Sequence, residues 1–188
     1  MSRAGFGVIG TGSWGKNHAR VLYELNNAEL IAVCDVDATR AEQVGKRYNA
    51  SWCTSNEDLL KIHDVEAICI CTPTITHADI ASEAIEHGKH VLIEKPMAST
   101  AVQAFGILKQ AEGKDIHIMV GFIERFNPAL QRLKKIIDQG DLGEIVLVFA
   151  RRVGQWPERI GDVGVVKDSA IHDIDIMRFL FQEEPSNV

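Results

Sequence analysis

At 188 residues the chain is long enough for one ordinary domain with a full core, or for one domain and part of a second, which excludes a minimal stapled module. Its 46% hydrophobic and 24% charged residues exclude a disordered or membrane-embedded chain. Twenty basic against 26 acidic side chains, a net charge of -6 and no Lys/Arg run point away from nucleic acid, and the lack of any long apolar stretch points away from secretion and membranes toward the cytoplasm.

Apolar, β-rich runs alternate with amphipathic ones from the start: "FGVIG", "HARVLYEL", "LIAVCD", "ATRAEQVGKRY", "EAICICT", "ADIASEAIEHG", "HVLIE", "TAVQAFGILKQAEG" and "IHIMVGF". This βαβ rhythm, with strands such as Ala67–Cys71 apolar at nearly every position, predicts an α/β domain over residues 1–121. Its core is a doubly wound parallel sheet with helices on both faces. Gly88 and Gly113 fall where helices should end, and Pro73 and Pro96 each lie just past a strand, on the edge where open α/β sheets bind ligands. Cys34, Cys53, Cys69 and Cys71 form no CxxC pair and read as core thiols, with no metal.

After Phe122 the pattern changes, and residues 122–188 read as a second domain. Asn127 followed by Pro128 predicts an N-cap and first helical position, with the helix stopped near "GDLG". "EIVLVFARRV" predicts a long strand and "DSAIHDIDIMRFLF" a helix, joined by the irregular "GQWPERIGDVG". No further strands follow to complete a sheet, so the second domain is expected to be incomplete.

Gly10-Thr11-Gly12-Ser13-Trp14-Gly15 matches GxGxxG between a predicted strand and a predicted helix. Glycine there permits a tight turn and close approach of a pyrophosphate to backbone amides, and the helix amino terminus favours negative charge. Asp35, at the end of the second strand, is placed to accept hydrogen bonds from a ribose diol, which favours NAD over NADP, although Arg40 lies nearby. The alternative is that the glycines only turn a strand into a helix.

"VLIEKPMAST" puts Glu94, Lys95 and Pro96 immediately past a strand, on the edge where a nicotinamide would lie. A lysine ammonium there can stabilise charge developing on a substrate oxygen. In the last helix Asp168, His172 and Asp175 follow a four-then-three spacing that aligns them on one face, separate from an apolar face of Ile171, Ile174, Met177 and Phe181. A histidine can take the alcohol proton while a neighbouring carboxylate orients it; the bland reading is a solvated acidic face.

Together, GxGxxG at 10–15, "ICTPTITH" at 70–77, "EKP" at 94–96, "GFIERFNPA" at 121–129 and the Asp168/His172 helix resemble the Gfo/Idh/MocA oxidoreductases. The resemblance implies an NAD(P)-binding Rossmann domain followed by an open-sheet α/β domain that binds a sugar or cyclitol and often mediates oligomerisation. It implies catalytic roles for Lys95, His172 and Asp168, and a cofactor cleft lined by the glycine loop, Asp35, Thr72, Pro73, His77, Glu94 and Lys95. The segment from Phe149 to Leu180 is similar to the branch that oxidises the 3-hydroxyl of UDP-N-acetylglucosamine, which implies that Arg125, Arg151, Arg152 and Arg159 contact the substrate. The expectation is an NAD-dependent dehydrogenase of a nucleotide sugar, with a dehydrogenase of an unactivated sugar or inositol-type cyclitol, or a non-catalytic dinucleotide binder, as alternatives.

Overall fold

The computed structural model describes residues 3–151, 153, 164 and 166–187. The chain divides into two compact units, Met1–Gly121 and Phe122–Val188.

The first unit is built on six parallel strands: β1 (Ala4–Ile9), β2 (Ala28–Cys34), β3 (Ser51–Cys53), β4 (Ala67–Ile70), β5 (His90–Ile93) and β6 (Ile118–Val120), in the order β3-β2-β1-β4-β5-β6. Ile9 lies opposite both Cys34 and Ile70, so the carboxyl ends of β1, β2 and β4 are level. The strand order reverses between β1 and β4, and this switch point opens the crevice in which doubly wound sheets bind ligands. Five helices cover the sheet: α1 (Ser13–Glu24), α2 (Ala38–Tyr48), α3 (Asn56–Leu60), α4 (His77–Glu86) and α5 (Ala101–Ala111).

Successive side chains of one strand enter opposite cores. Ile9, Cys34, Ile68 and Ile70 join Leu59, Ile85 and Ile107 on one face, whereas Val8, Val33 and Cys69 join Leu22, Leu30 and Val44 on the other. Burial on both faces is why these strands read as continuous apolar runs. Helix ends follow local chemistry: Asp37 accepts the Arg40 amide at 3.1 Å, Thr100 and Gln103 form a capping box, and Gly88 takes φ +71° beyond α4. All four cysteines are free thiols; burial pushes Cys34 and Cys69 up to about 12, with the Glu94 charge adding to the effect at Cys69. Among the described residues no helix is long and apolar enough to cross a membrane.

The second unit contains α6 (Pro128–Asp138) and α7 (Ile171–Phe181), the latter preceded by a π-helical turn at Val166–Ala170. Asn127 caps α6 by accepting the Ala129 amide at 3.0 Å, with Pro128 at the first helical position. The strand expected over 144–153 is corrected: residues 144–151 have no regular secondary structure, and Val146, Leu147 and Phe149 are exposed. A strand exists only by pairing, and among the described residues of this unit there is no other strand to pair with. Of the apolar face expected on the last helix, Ile171, Met177 and Phe181 are half-buried. Ile174 is exposed, and the buried positions of α7 are Asp175 and Leu180.

Candidate functional site

The carboxyl edge of the first unit gathers the glycine loop, Asp35, Thr72, Pro73, His77, Glu94 and Lys95. Gly10 has φ +88°, and a Cβ there would lie 2.8 Å from the Cys71 carbonyl carbon and oxygen and the Thr72 nitrogen, so only glycine lets β1 turn beside β4. A Cβ at Gly15 would collide with the Gly10 carbonyl oxygen, so α1 leaves the loop only with a bare backbone. A Cβ at Gly12 would meet nothing within 4 Å. Gly12 is also the N-cap of α1 and supplies no capping side chain. The result is an open, Cβ-free helix amino terminus, with Ser13 exposed and Trp14 half-buried in the first turn. This cradle fits a dinucleotide pyrophosphate.

Asp35 is buried just past β2. One carboxylate oxygen accepts the Thr11 amide at 2.8 Å and the Thr11 hydroxyl at 3.0 Å; the other accepts the Asp37 amide at 2.9 Å and Arg40 Nη2 at 2.8 Å. A carboxylate offers about four lone-pair sites, and these donors fill them. The Arg40 side chain is 46% exposed while Thr11 is fully buried, so the Arg40 donor is the one a ribose hydroxyl can displace. Burial acts to raise Asp35, but the bonds from Arg40, Asp37 and Thr11 outweigh it and hold the carboxyl below its ordinary value. A depressed folded-state value stabilises the fold above the ordinary carboxylate range and is lost as pH falls through it. Asp35→Asn is therefore expected to show a stability deficit that begins to narrow as pH falls through the ordinary carboxylate range and closes only below the depressed folded value, and to weaken NAD binding by about 10- to 100-fold at neutral pH. Thermal melting against pH and a fluorescence titration with NAD check both.

Across the switch point, His77 is buried at the start of α4 with Nδ1 2.9 Å from the Pro96 carbonyl oxygen and Nε2 2.9 Å from the Thr72 carbonyl oxygen. The ring thus links the loop after β4 to the loop after β5, where the Lys95–Pro96 peptide is cis. Thr72 Oγ1 accepts the Thr76 hydroxyl at 2.8 Å, which shapes the turn at exposed Pro73. Glu94 is buried; Oε1 lies 2.7 Å from His18 Nε2, and Oε2 accepts the Lys95 amide at 3.2 Å. His18 was not among the residues singled out from the sequence. Its only signal there is its place one helical turn beyond Gly15, which gives no hint of a partner 76 residues away.

In the second unit Asp168 is buried in the π-helical turn and accepts the Ser169 hydroxyl at 3.2 Å; His172 is half-buried in the first turn of α7. Asp175 does not sit on a solvated face. Its carboxylate is held by Arg125, with Nε at 2.8 Å and Nη2 at 2.5 Å, and the guanidinium lies 5.7 Å from the Phe122 ring centre and 5.8 Å from that of Phe179. Hydrogen bonding to Asp175 raises Arg125 above its ordinary value against the opposing effect of burial. Arg125, expected to contact substrate, is thus engaged within its own unit. Arg151 is exposed, and Arg152 and Arg159 lie outside the described residues.

Residues 4–122 match the family model described as "Oxidoreductase family, NAD-binding Rossmann fold", and residues 130–188 match the "GFO/IDH/MocA C-terminal domain". The chain is 35% identical to an inositol 2-dehydrogenase of Rhizobium meliloti over 97% of its length and 56% of that protein's. It is 34% identical to inositol 2-dehydrogenase 3 of Saccharopolyspora erythraea over 95% of its length and 54% of that protein's. The myo-inositol dehydrogenase of Lactobacillus casei, solved in complex with NAD(H) and myo-inositol, superposes with a TM-score of 0.84 at 28% identity, covering 98% of this chain and 56% of that one. The chain therefore spans about half the length of the curated relatives it matches. These matches and the glycine cradle together establish that the chain belongs to the Gfo/Idh/MocA family of oxidoreductases and carries its NAD-binding Rossmann fold.

Proposed function

We propose that this chain is the cofactor-binding and catalytic part of an NAD-dependent dehydrogenase that oxidises a secondary hydroxyl of an inositol-type cyclitol. The observation that carries the reading is the open, Cβ-free amino terminus of α1 on the same sheet edge as Lys95. Similarity to inositol 2-dehydrogenases supports the substrate class.

NAD, when bound, supplies the acceptor for the hydride leaving the carbinol carbon. The glycine loop and the first turn of α1 hold the pyrophosphate, and Asp35 takes the ribose. Lys95 donates a hydrogen bond to the substrate oxygen and stabilises it as it becomes a carbonyl. His172 accepts the hydroxyl proton, and Asp168 orients the hydroxyl. Much of the rate comes from alignment of these groups.

The cyclitol reading displaces the nucleotide-sugar one. The relatives are named for inositol, and of the arginines the nucleotide-sugar reading gave to a diphosphate, Arg151 is exposed while Arg152 and Arg159 lie outside the described residues. The purified protein with NAD is expected to produce NADH from myo-inositol and not from UDP-N-acetylglucosamine or glucose. Turnover of UDP-N-acetylglucosamine alone would overturn the substrate class, and tight NAD binding without turnover of any polyol would leave only a dinucleotide-holding protein.

A further inference from the structure

We infer that His18 is a positioning residue for Lys95, acting through the Glu94 carboxylate. The inference rests on the reading that Lys95 is catalytic.

Glu94 is buried, and the oxygens of a buried carboxyl group need hydrogen-bond partners. Among the described residues the His18 ring meets Oε1 at 2.7 Å and the Lys95 amide donates to Oε2 at 3.2 Å. Both oxygens belong to one rigid group, so the ring that fixes Oε1 also fixes where the Lys95 amide can bond. Gly121 closes a further side, since a Cβ there would stand 3.1 Å from Oε2 and 3.3 Å from Oε1. A side chain at position 121 would therefore press on the carboxylate and require it to shift by a few tenths of an ångström.

His18 stands on α1, the helix whose amino terminus forms the dinucleotide cradle. The chain of contacts therefore runs from the cradle's own helix, through His18 and Glu94, to the backbone of Lys95. On the far side of Lys95, His77 holds the Pro96 carbonyl at 2.9 Å, so the lysine is carried on a segment anchored at both flanks. Loss of the His18 contact frees the carboxylate to turn toward water and releases one anchor. The lysine then loses alignment without losing its charge.

Three variants of the full-length protein, His18→Ala, His18→Gln and Lys95→Ala, test the inference. His18→Ala is expected to lower kcat with myo-inositol by about 10- to 100-fold, because small misplacements of a reacting group cost that much. KM and the dissociation constant for NAD should stay within about threefold, as no binding contact is removed. Amide hydrogen exchange at Lys95, followed by NMR without cofactor, should speed up in His18→Ala. His18→Gln keeps an N–H donor for Glu94 and should restore both the slow exchange and most of the turnover. Unchanged exchange and kcat in His18→Ala, or a failure of Gln to rescue either, overturns the inference. A lowered melting temperature with normal kcat per folded molecule also overturns it, since that marks a purely structural pair. If Lys95→Ala retains full turnover, the catalytic reading itself fails, whatever the exchange data at His18 show.

Discussion

Lys95→Ala is expected to bind NAD within about threefold of the parent and to lose roughly two to four orders of magnitude in kcat with myo-inositol. The lysine sits immediately past β5, half-buried, between a carboxylate that takes its amide and a proline whose carbonyl is held by His77. That backbone restraint serves a side chain that must meet a reacting oxygen in one orientation. As the alcohol oxygen becomes a carbonyl, a fixed ammonium outside bulk water stabilises the charge on it more than mobile solvent does. Lys95→Arg keeps the charge but spreads it over a planar fork, and it should recover only a small part of the loss. Steady-state kinetics and a fluorescence titration with NAD separate the two quantities. Full turnover in Lys95→Ala would remove the ammonium from the reaction.

The parts of this site legible in the sequence are those whose cause is local. Gly10 and Gly15 announce a turn because Gly10 takes a φ of +88° and a Cβ at Gly15 would strike the Gly10 carbonyl oxygen within the same loop. Asp35 is legible because the second strand delivers it to the sheet edge at a characteristic distance from the glycines. By contrast, β3 is only Ser51–Cys53 and exists through its register with Ala32–Cys34, information that three residues do not carry. The segment after Gly143 shows the opposite failure: β propensity is a preference for a paired, half-covered surface, and with no paired neighbour among the described residues, residues 144–151 are irregular. The His18–Glu94 contact spans 76 residues and depends on two side chains meeting across the sheet edge, so nothing in either neighbourhood foretells it. Asp175 was placed on the right helix, but whether an acid faces water or a guanidinium 50 residues away is decided by packing.

That last pair yields the second large effect. Arg125→Met should destabilise the second unit by about 3 kcal/mol, seen as a lower urea midpoint with little change in slope. Asp175 is 3% exposed on its side chain, so removing its cation leaves a buried carboxylate with its bidentate partner gone. The Arg125 side chain is 39% exposed, which screens the attraction and puts the cost at the lower end of the range for buried pairs, about 3–5 kcal/mol. Methionine keeps the aliphatic stem and loses the guanidinium that lies against the Phe122 and Phe179 rings, so the measured loss includes those ring contacts as well as the ion pair. Adding Asp175→Asn to Arg125→Met should return more than half of the lost stability, because a neutral amide costs far less to bury unpaired than a carboxylate. A substrate-binding arginine predicts a different pattern: Arg125→Met would raise KM with the urea midpoint unchanged, and the second substitution would repair nothing. Equilibrium unfolding of the two variants beside their KM values decides whether this guanidinium holds the fold or the substrate.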